Sequence, residues 1–451
     1  LERANSKVVG RVLVEHGIAL VVPENRRINQ DILVAPEGGV PAKPGQVVVV
    51  EIIEQPDRHA KPIGRIIEVL GGYADPGMEI EIALRKHELP FIFSPGTLAE
   101  TAALPDQVGA GEAGGRVDLR ELPLVTIDGE TAKDFDDAVF AERRASGWRL
   151  IVAIADVSHY VQPGSALDRA AAERGNSVYF PRRVIPMLPE KLSNGLCSLN
   201  PGVDRLVVAC DMEIGERGEI DDYRFYPAVF RSHARLTYDQ VWNALSATGQ
   251  PEEPQLAAFL PHLRVLYDLF HVLQCAREQR GAIDFETIET LLLFDDQGKI
   301  EQIVPAYRND AHRLIEECML AANVCASDFL QTNRQACLYR VHQGPTAEKL
   351  VALRSFLAEF GLALGGGDTP TARDYALLLE HVRGRPDALL LQTVMLRSLR
   401  QALYSPDNVG HFGLAYEHYT HFTSPIRRYP DLLVHRSIKA VLAGQHYSPG
   451  S

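Results

Sequence analysis

Four aspartates, Asp128, Asp134, Asp136 and Asp137, lie within ten consecutive positions, directly after an apolar run that is typical of a β-strand. Carboxylates this close repel one another, and the apolar residues on both sides of the segment argue against full exposure to water. A divalent cation bound by oxygen ligands would neutralise this charge, as in enzymes that act on phosphates with Mg²⁺ or Mn²⁺. An exposed acidic loop remains an alternative. A calcium loop of the EF-hand type does not fit the spacing of the residues that follow.

The backbone around the aspartates has to bend. An extended segment places alternate side chains on one face, so Asp134 and Asp136 are predicted to point together and Asp137 to point away. For all four acids to meet, the segment Gly129–Lys133 has to fold back. Gly129 allows such a turn because it lacks a β-carbon. We also expect the backbone near Asp136 and Asp137 to kink.

The composition is that of a globular protein with two or three domains: 451 residues, 46% hydrophobic and 23% charged. The net charge of −13 argues against a simple nucleic-acid binder, but a nucleic-acid enzyme can carry acid at its metal site. Six cysteines without a Cys-x-x-Cys pair predict free thiols and no disulfides. No apolar run reaches the length of a membrane span. We expect a cytoplasmic monomer that does not contact a membrane.

Residues 1–70 are predicted to form a small all-β barrel of the OB or cold-shock type, because five short apolar runs alternate with glycine and proline turns. Such barrels often stack bases on aromatic rings, but this one has no Phe, Tyr or Trp before Tyr73. Any RNA contact would therefore involve phosphates. The candidate cations, which could equally be ordinary surface residues, are Arg26, Arg27, Arg58 and Lys61.

An α+β domain is predicted for residues 116–445, after a Gly/Pro/Ala-rich connector at 71–115 and before a chain end at 446–451. Strands come first, and their alternation indicates a mixed or antiparallel sheet. From about Thr237 onward the pattern is helical. The long predicted helices are 255–279, 310–332, 346–361 and 372–403.

The ordered motifs of this domain resemble those of the ribonuclease II family. The family's T-I-D and D-x-D-D pattern lies at Thr126–Asp137, and further motifs follow in the expected order. The resemblance covers nearly the whole of 116–445. The motifs are Val152–Ser158, Tyr179–Pro181, Ile185–Pro189, Leu192–Leu199, Ala311–Glu317, His411–Leu414 and Thr423–Asp431.

The resemblance implies an RNB catalytic domain preceded by a cold-shock barrel. It implies a Mg²⁺-dependent hydrolytic 3′→5′ exoribonuclease, with Mn²⁺ able to replace Mg²⁺. The enzyme would bind the 3′ end of single-stranded RNA and degrade it processively to nucleoside 5′-monophosphates. By motif position, the catalytic acids and metal ligands are Asp128, Asp134, Asp136 and Asp137.

The resemblance also implies residues that bind RNA. Tyr179 matches a family aromatic residue that stacks on the 3′-terminal base, although a core tyrosine is the alternative. Tyr339 and Arg340 lie where relatives line the RNA channel. His421 belongs to a stretch, residues 391–440, with six Lys or Arg against three Asp or Glu.

Arg427 and Arg428 could bind phosphates through two parallel hydrogen bonds each. The alternative is an internal salt bridge to Asp431 or to the acid cluster.

The chain stops at Ser451, before a helical segment with a catalytic arginine and the S1 barrel that follow in the family. We therefore expect a truncated chain, and an RNA-binding fragment with little turnover is an alternative to the exoribonuclease. A metal-dependent phosphatase or DNA nuclease using the same acids is a third possibility.

Overall fold

The computed structural model describes residues 6–35, 37–57, 60–246, 254–285 and 289–449. Arg58, a predicted phosphate contact, lies outside the described residues. The chain forms two compact units. Unit 1 contains the chain up to Phe93 together with Tyr179–Ile185 and Thr290–Pro305, and unit 2 contains Ser94–Val178, Pro186–Glu289 and the chain from Ala306 onward.

The strands of the described residues are numbered in chain order. They are β1 (Lys7–Glu15), β2 (Ile18–Pro23), β3 (Ile32–Val34), β4 (Gln46–Glu54), β5 (Ile63–Gly72), β6 (Val117–Asp118), β7 (Val125–Asp128), β8 (Asp137–Arg144), β9 (Gly147–Ala155), β10 (Val178–Phe180), β11 (Arg183–Ile185), β12 (Asp204–Ile214), β13 (Ile220–Arg231), β14 (Ala234–Thr237), β15 (Glu289–Phe294), β16 (Ile300–Ala306), β17 (Tyr339–Val341) and β18 (Leu403–Ser405).

The helices are numbered in the same way, and one π-helix spans Lys191–Leu196. They are α1 (Met78–Lys86), α2 (Pro95–Ala103), α3 (Ala110–Ala113), α4 (Val157–Tyr160), α5 (Ala166–Arg174), α6 (Tyr238–Ser246), α7 (Pro254–Arg280), α8 (Asp310–Thr332), α9 (Ala347–Glu359), α10 (Ala372–Val382), α11 (Ala388–Ser398) and α12 (Tyr429–Leu442).

Unit 1 is built on a closed five-stranded barrel with the strand order β1-β2-β3-β5-β4, which confirms the predicted small all-β barrel. Its interior is filled by aliphatic side chains such as Val21, Ile32 and Val50. Gly64, at the parallel contact of β3 with β5, is required by close packing. A β-carbon there would lie 2.2 Å from a methyl group of Val50.

Two hairpins, β10-β11 and β15-β16, belong to unit 1 although they lie far beyond the barrel strands in the sequence. The guanidinium of Arg183 on β11 donates to Glu81 on α1 at 2.5 Å. Arg182 lies over the ring of Phe294 on β15 at 5.3 Å. Unit 1 therefore contains three separate segments of the chain, and the segments between them belong to unit 2.

Unit 2 contains a seven-stranded mixed sheet with the order β14-β7-β8-β9-β12-β13-β6. The centre is antiparallel, and the outermost pairs, β14-β7 and β13-β6, are parallel. Both faces of β9 are buried, because one face packs against α6, α7 and α8 and the other against α5 and the π-helix. This sheet followed by helices confirms the predicted α+β class.

The predicted helix 372–403 is wrong as a single element. It is two helices, α10 and α11, followed by the short strand β18. The break falls where Gly384 adopts the left-handed conformation, with φ at 79°, and where Pro386 cannot continue a helix. The connector predicted at 71–115 contains the helices α1, α2 and α3.

Among the described residues, α7 is long and apolar enough to cross a membrane when judged by length and composition alone. On this helix, Leu260, Leu263 and Phe270 lie in the core against the sheet. The helix therefore also fits the role of a core helix, which is apolar for the same reason. All six cysteines of the chain are free.

Candidate active site

The four aspartates lie around one end of the β7-β8 strand pair. Asp128 is the last residue of β7 and Asp137 is the first residue of β8. Because neighbouring antiparallel strands reverse direction, the end of one strand lies beside the start of the next. Asp134 and Asp136 lie in the segment between the strands, where residues 132–136 have no regular secondary structure.

The loop between β7 and β8 is held by local and distant hydrogen bonds. The Gly129 N–H donates to Asp128 Oδ1 at 2.7 Å. Arg235 on β14 donates to the carbonyl oxygens of Glu130 and Ala132, at 2.6 and 3.2 Å. The loop that carries the acids is therefore tied to the strand beside β7.

Asp136 is the most buried of the four acids, with 4% of its surface exposed. Its Oδ1 accepts the Ile426 N–H at 2.8 Å, whereas Oδ2 is buried and accepts no hydrogen bond from any described residue. Among the described residues, the ion-pair partner of Asp136 is Arg427, whose Nε lies 3.6 Å from Oδ2. Burial raises the pKa of Asp136 well above its ordinary value, although Arg427 opposes the rise.

The charges of the four acids are coupled. Burial, helped by the charge of Asp128, raises the pKa of Asp137 to about 7, against the effect of the two arginines at 427 and 428. Burial also raises the pKa of Asp128, and the charge of Asp134 adds to that rise. Asp134 also adds to the raised pKa of Asp136. Raised pKa values of this kind mean that burial disfavours the ionised acids and that the nearby arginines do not fully compensate for it.

These residues fit a divalent cation only if other ligands complete its coordination. Within the described part of the chain, no group of three or more His, Cys, Asp or Glu side chains is arranged so that it could hold a metal ion. Mg²⁺ does not require such a group, because it is usually bound through one or two carboxylates, several waters and the phosphate oxygens of a substrate. A cation would supply the positive charge that the buried Oδ2 of Asp136 and its neighbours lack.

The two adjacent arginines have different surroundings. Arg427 faces the acid cluster through Asp136, and its side chain is 45% exposed. Arg428 is bound to Asp431 through two hydrogen bonds, from Nε to Oδ2 at 2.9 Å and from Nη2 to Oδ1 at 2.7 Å. Asp431 is fully buried and also accepts the Ser424 N–H at 2.8 Å. Arg427 is thus available to a phosphate, whereas Arg428 is engaged within the protein.

Three further predicted residues lie together on and beside the β17-β18 pair. Arg340, next to Tyr339 on β17, lies over the ring of Tyr404 on β18 at 4.7 Å. The hydroxyl of Tyr404 is 2.6 Å from His421 Nδ1. Burial, aided by Arg428, lowers the pKa of His421 to about 3, so this ring is neutral at physiological pH.

Tyr179, the remaining predicted RNA contact, lies on β10 in unit 1, and half of its surface is exposed. An exposed ring can stack on a base, whereas the alternative of a core tyrosine requires burial.

Sequence reasoning missed Tyr238 and Tyr404. Tyr238 begins α6 directly after β14, and its ring stacks on His312 at 3.9 Å. Its pKa is raised by burial and by the charges of Asp128 and Asp137, which places it beside the acids. The pairing of β14 with β7 brings it there, and that pairing joins residues about a hundred positions apart.

Comparison with known proteins identifies the domains. An RNB domain matches residues 116–444, and a cold shock domain matches residues 20–94. Ribonuclease R of Escherichia coli (strain K12) is 52% identical over 447 residues, which cover 99% of this chain and 55% of that protein. The chain thus spans about half the length of this curated relative.

Two solved structures of Mycoplasma genitalium RNase R are similar to the fold, each with a TM-score of 0.91 and 32% identity over 97% of this chain. One is in complex with ribose methylated single-stranded RNA and is covered over 69% of its length. The other is in complex with double-stranded RNA and is covered over 77%. Since the RNB domain matches most of the chain, and relatives more than half identical align with nearly all of it, the chain belongs to the ribonuclease II family and is most like ribonuclease R.

Proposed function

We propose that this chain is a Mg²⁺-dependent hydrolytic 3′→5′ exoribonuclease that degrades single-stranded RNA processively to nucleoside 5′-monophosphates, with Mn²⁺ able to replace Mg²⁺. The observation that carries the proposal is the buried acid cluster of an RNB domain, whose charge the protein leaves incompletely neutralised. The similar solved RNase R bound to single-stranded RNA supports the choice of substrate.

The cation would be held by one or two carboxylates from among Asp128, Asp134, Asp136 and Asp137, together with waters and phosphate oxygens of the RNA. When bound, it would act as a Lewis acid on the scissile phosphate and neutralise charge that develops there. The carboxylates would fix the position of the 3′-terminal phosphodiester relative to the attacking water.

In the proposed reaction, water attacks the phosphorus and the bond to the 3′-oxygen of the preceding nucleotide breaks. The products are a nucleoside 5′-monophosphate and an RNA one nucleotide shorter with a free 3′-hydroxyl. Asp136 Oδ2 has no hydrogen-bond donor among the described residues, so it would be available to hold the cation, while the attacking water loses a proton to solvent and the leaving 3′-oxygen takes one up. Arg427, exposed and 3.6 Å from that oxygen, can donate to the phosphate as negative charge develops.

RNA would be held by residues outside the acid cluster. Tyr179 would stack on a base, which suits an enzyme that accepts every base, because all bases have a π-face. Tyr339, Arg340 and His421 would contact the RNA upstream, and Arg340 is the cation among them. We place the enzyme in the cytoplasm as a monomer acting on RNA 3′ ends, and six free thiols suit a reducing compartment.

A time course on 5′-labelled single-stranded RNA with Mg²⁺ tests the proposal, using the wild-type chain, Asp136→Asn, and Asp268→Asn as a control at an exposed position on α7. We expect the wild-type chain and the control to produce a ladder that shortens from the 3′ end, and Asp136→Asn to leave the RNA intact.

Other outcomes would contradict the proposal in distinguishable ways. Binding without cleavage by the wild-type chain would indicate an RNA-binding module. Equal cleavage of DNA of the same sequence would indicate a general nuclease.

A further inference from the structure

The segment that carries Asp134 and Asp136 needs an external support. Residues 132–136 lie outside the strands on either side, so no sheet ladder fixes their backbone. Asp136 is held by its own contacts, because its carbonyl accepts the Ala155 N–H at 2.9 Å and its Oδ1 accepts the Ile426 N–H. Among the described residues, the hydrogen bonds to the backbone of Lys133 and Phe135, on either side of Asp134, come from one place on the chain.

That place is Ser198. Its hydroxyl donates to the Lys133 carbonyl oxygen at 2.8 Å and accepts the Phe135 N–H at 3.0 Å. The next residue, Leu199, donates its N–H to the Phe135 carbonyl oxygen at 3.0 Å. One side chain thus satisfies a backbone acceptor and a backbone donor on either side of Asp134.

The two hydrogen bonds of Ser198 also bear on the acids. Phe135, which lies between Asp134 and Asp136 in the chain, has a buried side chain with 3% exposed. Its burial and the hydroxyl of Ser198 together fix the backbone from which the two carboxylates extend. Ser198 is itself fully buried, so water cannot replace its hydroxyl without a rearrangement.

Ser198 is held rigidly in turn. The buried guanidinium of Arg205 donates to the carbonyl oxygens of Ser198, at 2.7 Å, and of Gly195 in the π-helix, at 2.9 Å. The wider, less common turn of this π-helix ends just before Ser198, and such turns often occur at functional sites. An anchor with a fixed backbone and a fixed hydroxyl can position a metal ligand to within a fraction of an ångström.

We propose that Ser198 is a positioning residue of the proposed nuclease, which holds the acid loop in the geometry that binds the divalent cation. The proposal rests on the function proposed above and adds a residue that touches neither substrate nor cation. Outer partners of metal ligands typically change metal affinity or activity by about 10- to 100-fold when they are removed. We expect a change of that size from Ser198→Ala.

The test measures Mn²⁺ binding by electron paramagnetic resonance, independently of turnover, for the wild-type chain, Ser198→Ala and Ser198→Cys. Ser398→Ala is the matched control. Ser398 is a buried serine of the same unit that donates to the Met395 carbonyl oxygen at 2.6 Å and pairs with the Tyr375 hydroxyl at 3.0 Å. Thermal unfolding of the metal-free chains is recorded beside the titrations.

We expect the Mn²⁺ dissociation constant to rise about 10- to 100-fold in both Ser198 variants and to stay unchanged in Ser398→Ala, although the alanine variants lose comparable stability. Wild-type Mn²⁺ affinity in folded Ser198→Ala, with RNA cleavage intact in the wild-type chain, would overturn the role of Ser198 and leave the proposed function standing. Absence of Mn²⁺ binding and of RNA cleavage by the wild-type chain would overturn both.

Discussion

Unit 2 contains two buried aspartates, Asp156 and Asp136, whose pKa values are shifted in opposite directions. Asp156 is 1% exposed, yet it is fully paired: both of its oxygens lie 2.9 Å from Lys439 Nζ, and Arg116 and Ser158 donate at 2.8 and 2.7 Å. Burial acts to raise its pKa, but the charges of Lys439 and Arg116 prevail and lower it.

Asp136 is buried to nearly the same degree. Burial raises its pKa, because among the described residues only one arginine, at 3.6 Å, forms an ion pair with it and does not offset the burial. The comparison shows that burial of an acid does not by itself mark a functional site. A buried acid whose charge the protein neutralises stabilises the fold, whereas one left incompletely neutralised is available to a ligand that brings positive charge.

The largest expected effect is the loss of RNA hydrolysis in Asp136→Asn. Asp136→Asn keeps the shape of the side chain and removes a carboxylate that the reaction needs, so we expect hydrolysis to fall on the order of 10³-fold or more. The free energy of unfolding should change by less than about 1 kcal/mol, because no complete ion pair is lost. Single-turnover RNA cleavage and urea unfolding measure the two quantities.

Asp156→Asn should do the reverse. Removing this charge leaves Arg116 and Lys439 facing each other without an acid, and loss of one partner of a buried ion pair typically costs about 3–5 kcal/mol. We expect urea unfolding to show that loss, while the cleavage rate per folded molecule stays at the wild-type value. A cleavage rate in Asp156→Asn as low as that in Asp136→Asn would contradict the distinction between the two aspartates.

The neighbouring arginines provide the same contrast within two residues. Arg427→Ala should slow cleavage about 10²- to 10³-fold, as for loss of one donor to a developing oxyanion, with stability nearly unchanged. Arg428→Ala leaves the buried Asp431 unpaired and should destabilise the protein by about 3–5 kcal/mol. Rate and unfolding measurements on both variants test the assignment, and a stable Arg428→Ala would contradict it.

Much of this contrast is invisible in the sequence. The spacing of the four aspartates, the barrel strands and the order of sheet and helices could be predicted because local pattern determines them. The division of roles between Arg427 and Arg428 could not. The sequence allowed a salt bridge to Asp431 for either arginine, and the structure shows that the first turn of α12 presents Asp431 to Arg428.

Long-range packing explains the remaining misses. Tyr404 reaches His421 and Arg340 only after β17 and β18 pair, and Ser198 meets Phe135 across 63 residues of chain. The prediction of one helix over 372–403 was wrong for a local reason. It followed the apolar periodicity and ignored Gly384 and Pro386, which are visible in the sequence and end the helix.

The smallest expected effect concerns pH. The folded-state pKa of Asp137 is about 7, above the ordinary value of 3.8, so the folded state favours the protonated acid. Its contribution to stability is therefore present below pH 4 and is lost as the pH rises through 7. Between pH 4 and 8, we expect the Tm of the metal-free wild-type chain to fall relative to the Tm of Asp137→Asn, which lacks this titrating group.

Added Mg²⁺ should oppose this loss, because a ligand that binds only the folded state at 100 times its Kd stabilises by about 2.7 kcal/mol. Thermal unfolding with and without Mg²⁺ at pH 8 measures the effect. A wild-type chain that shows no Mg²⁺ stabilisation at any concentration would argue against a cation at this cluster.

The most direct test of the central claim is the chemical identity of the products that the wild-type chain and Asp136→Asn release from single-stranded RNA with Mg²⁺, analysed by chromatography and mass spectrometry. We predict nucleoside 5′-monophosphates from the wild-type chain and none from the variant. Internal oligonucleotide products, or equal release of monophosphates by Asp136→Asn, would contradict it.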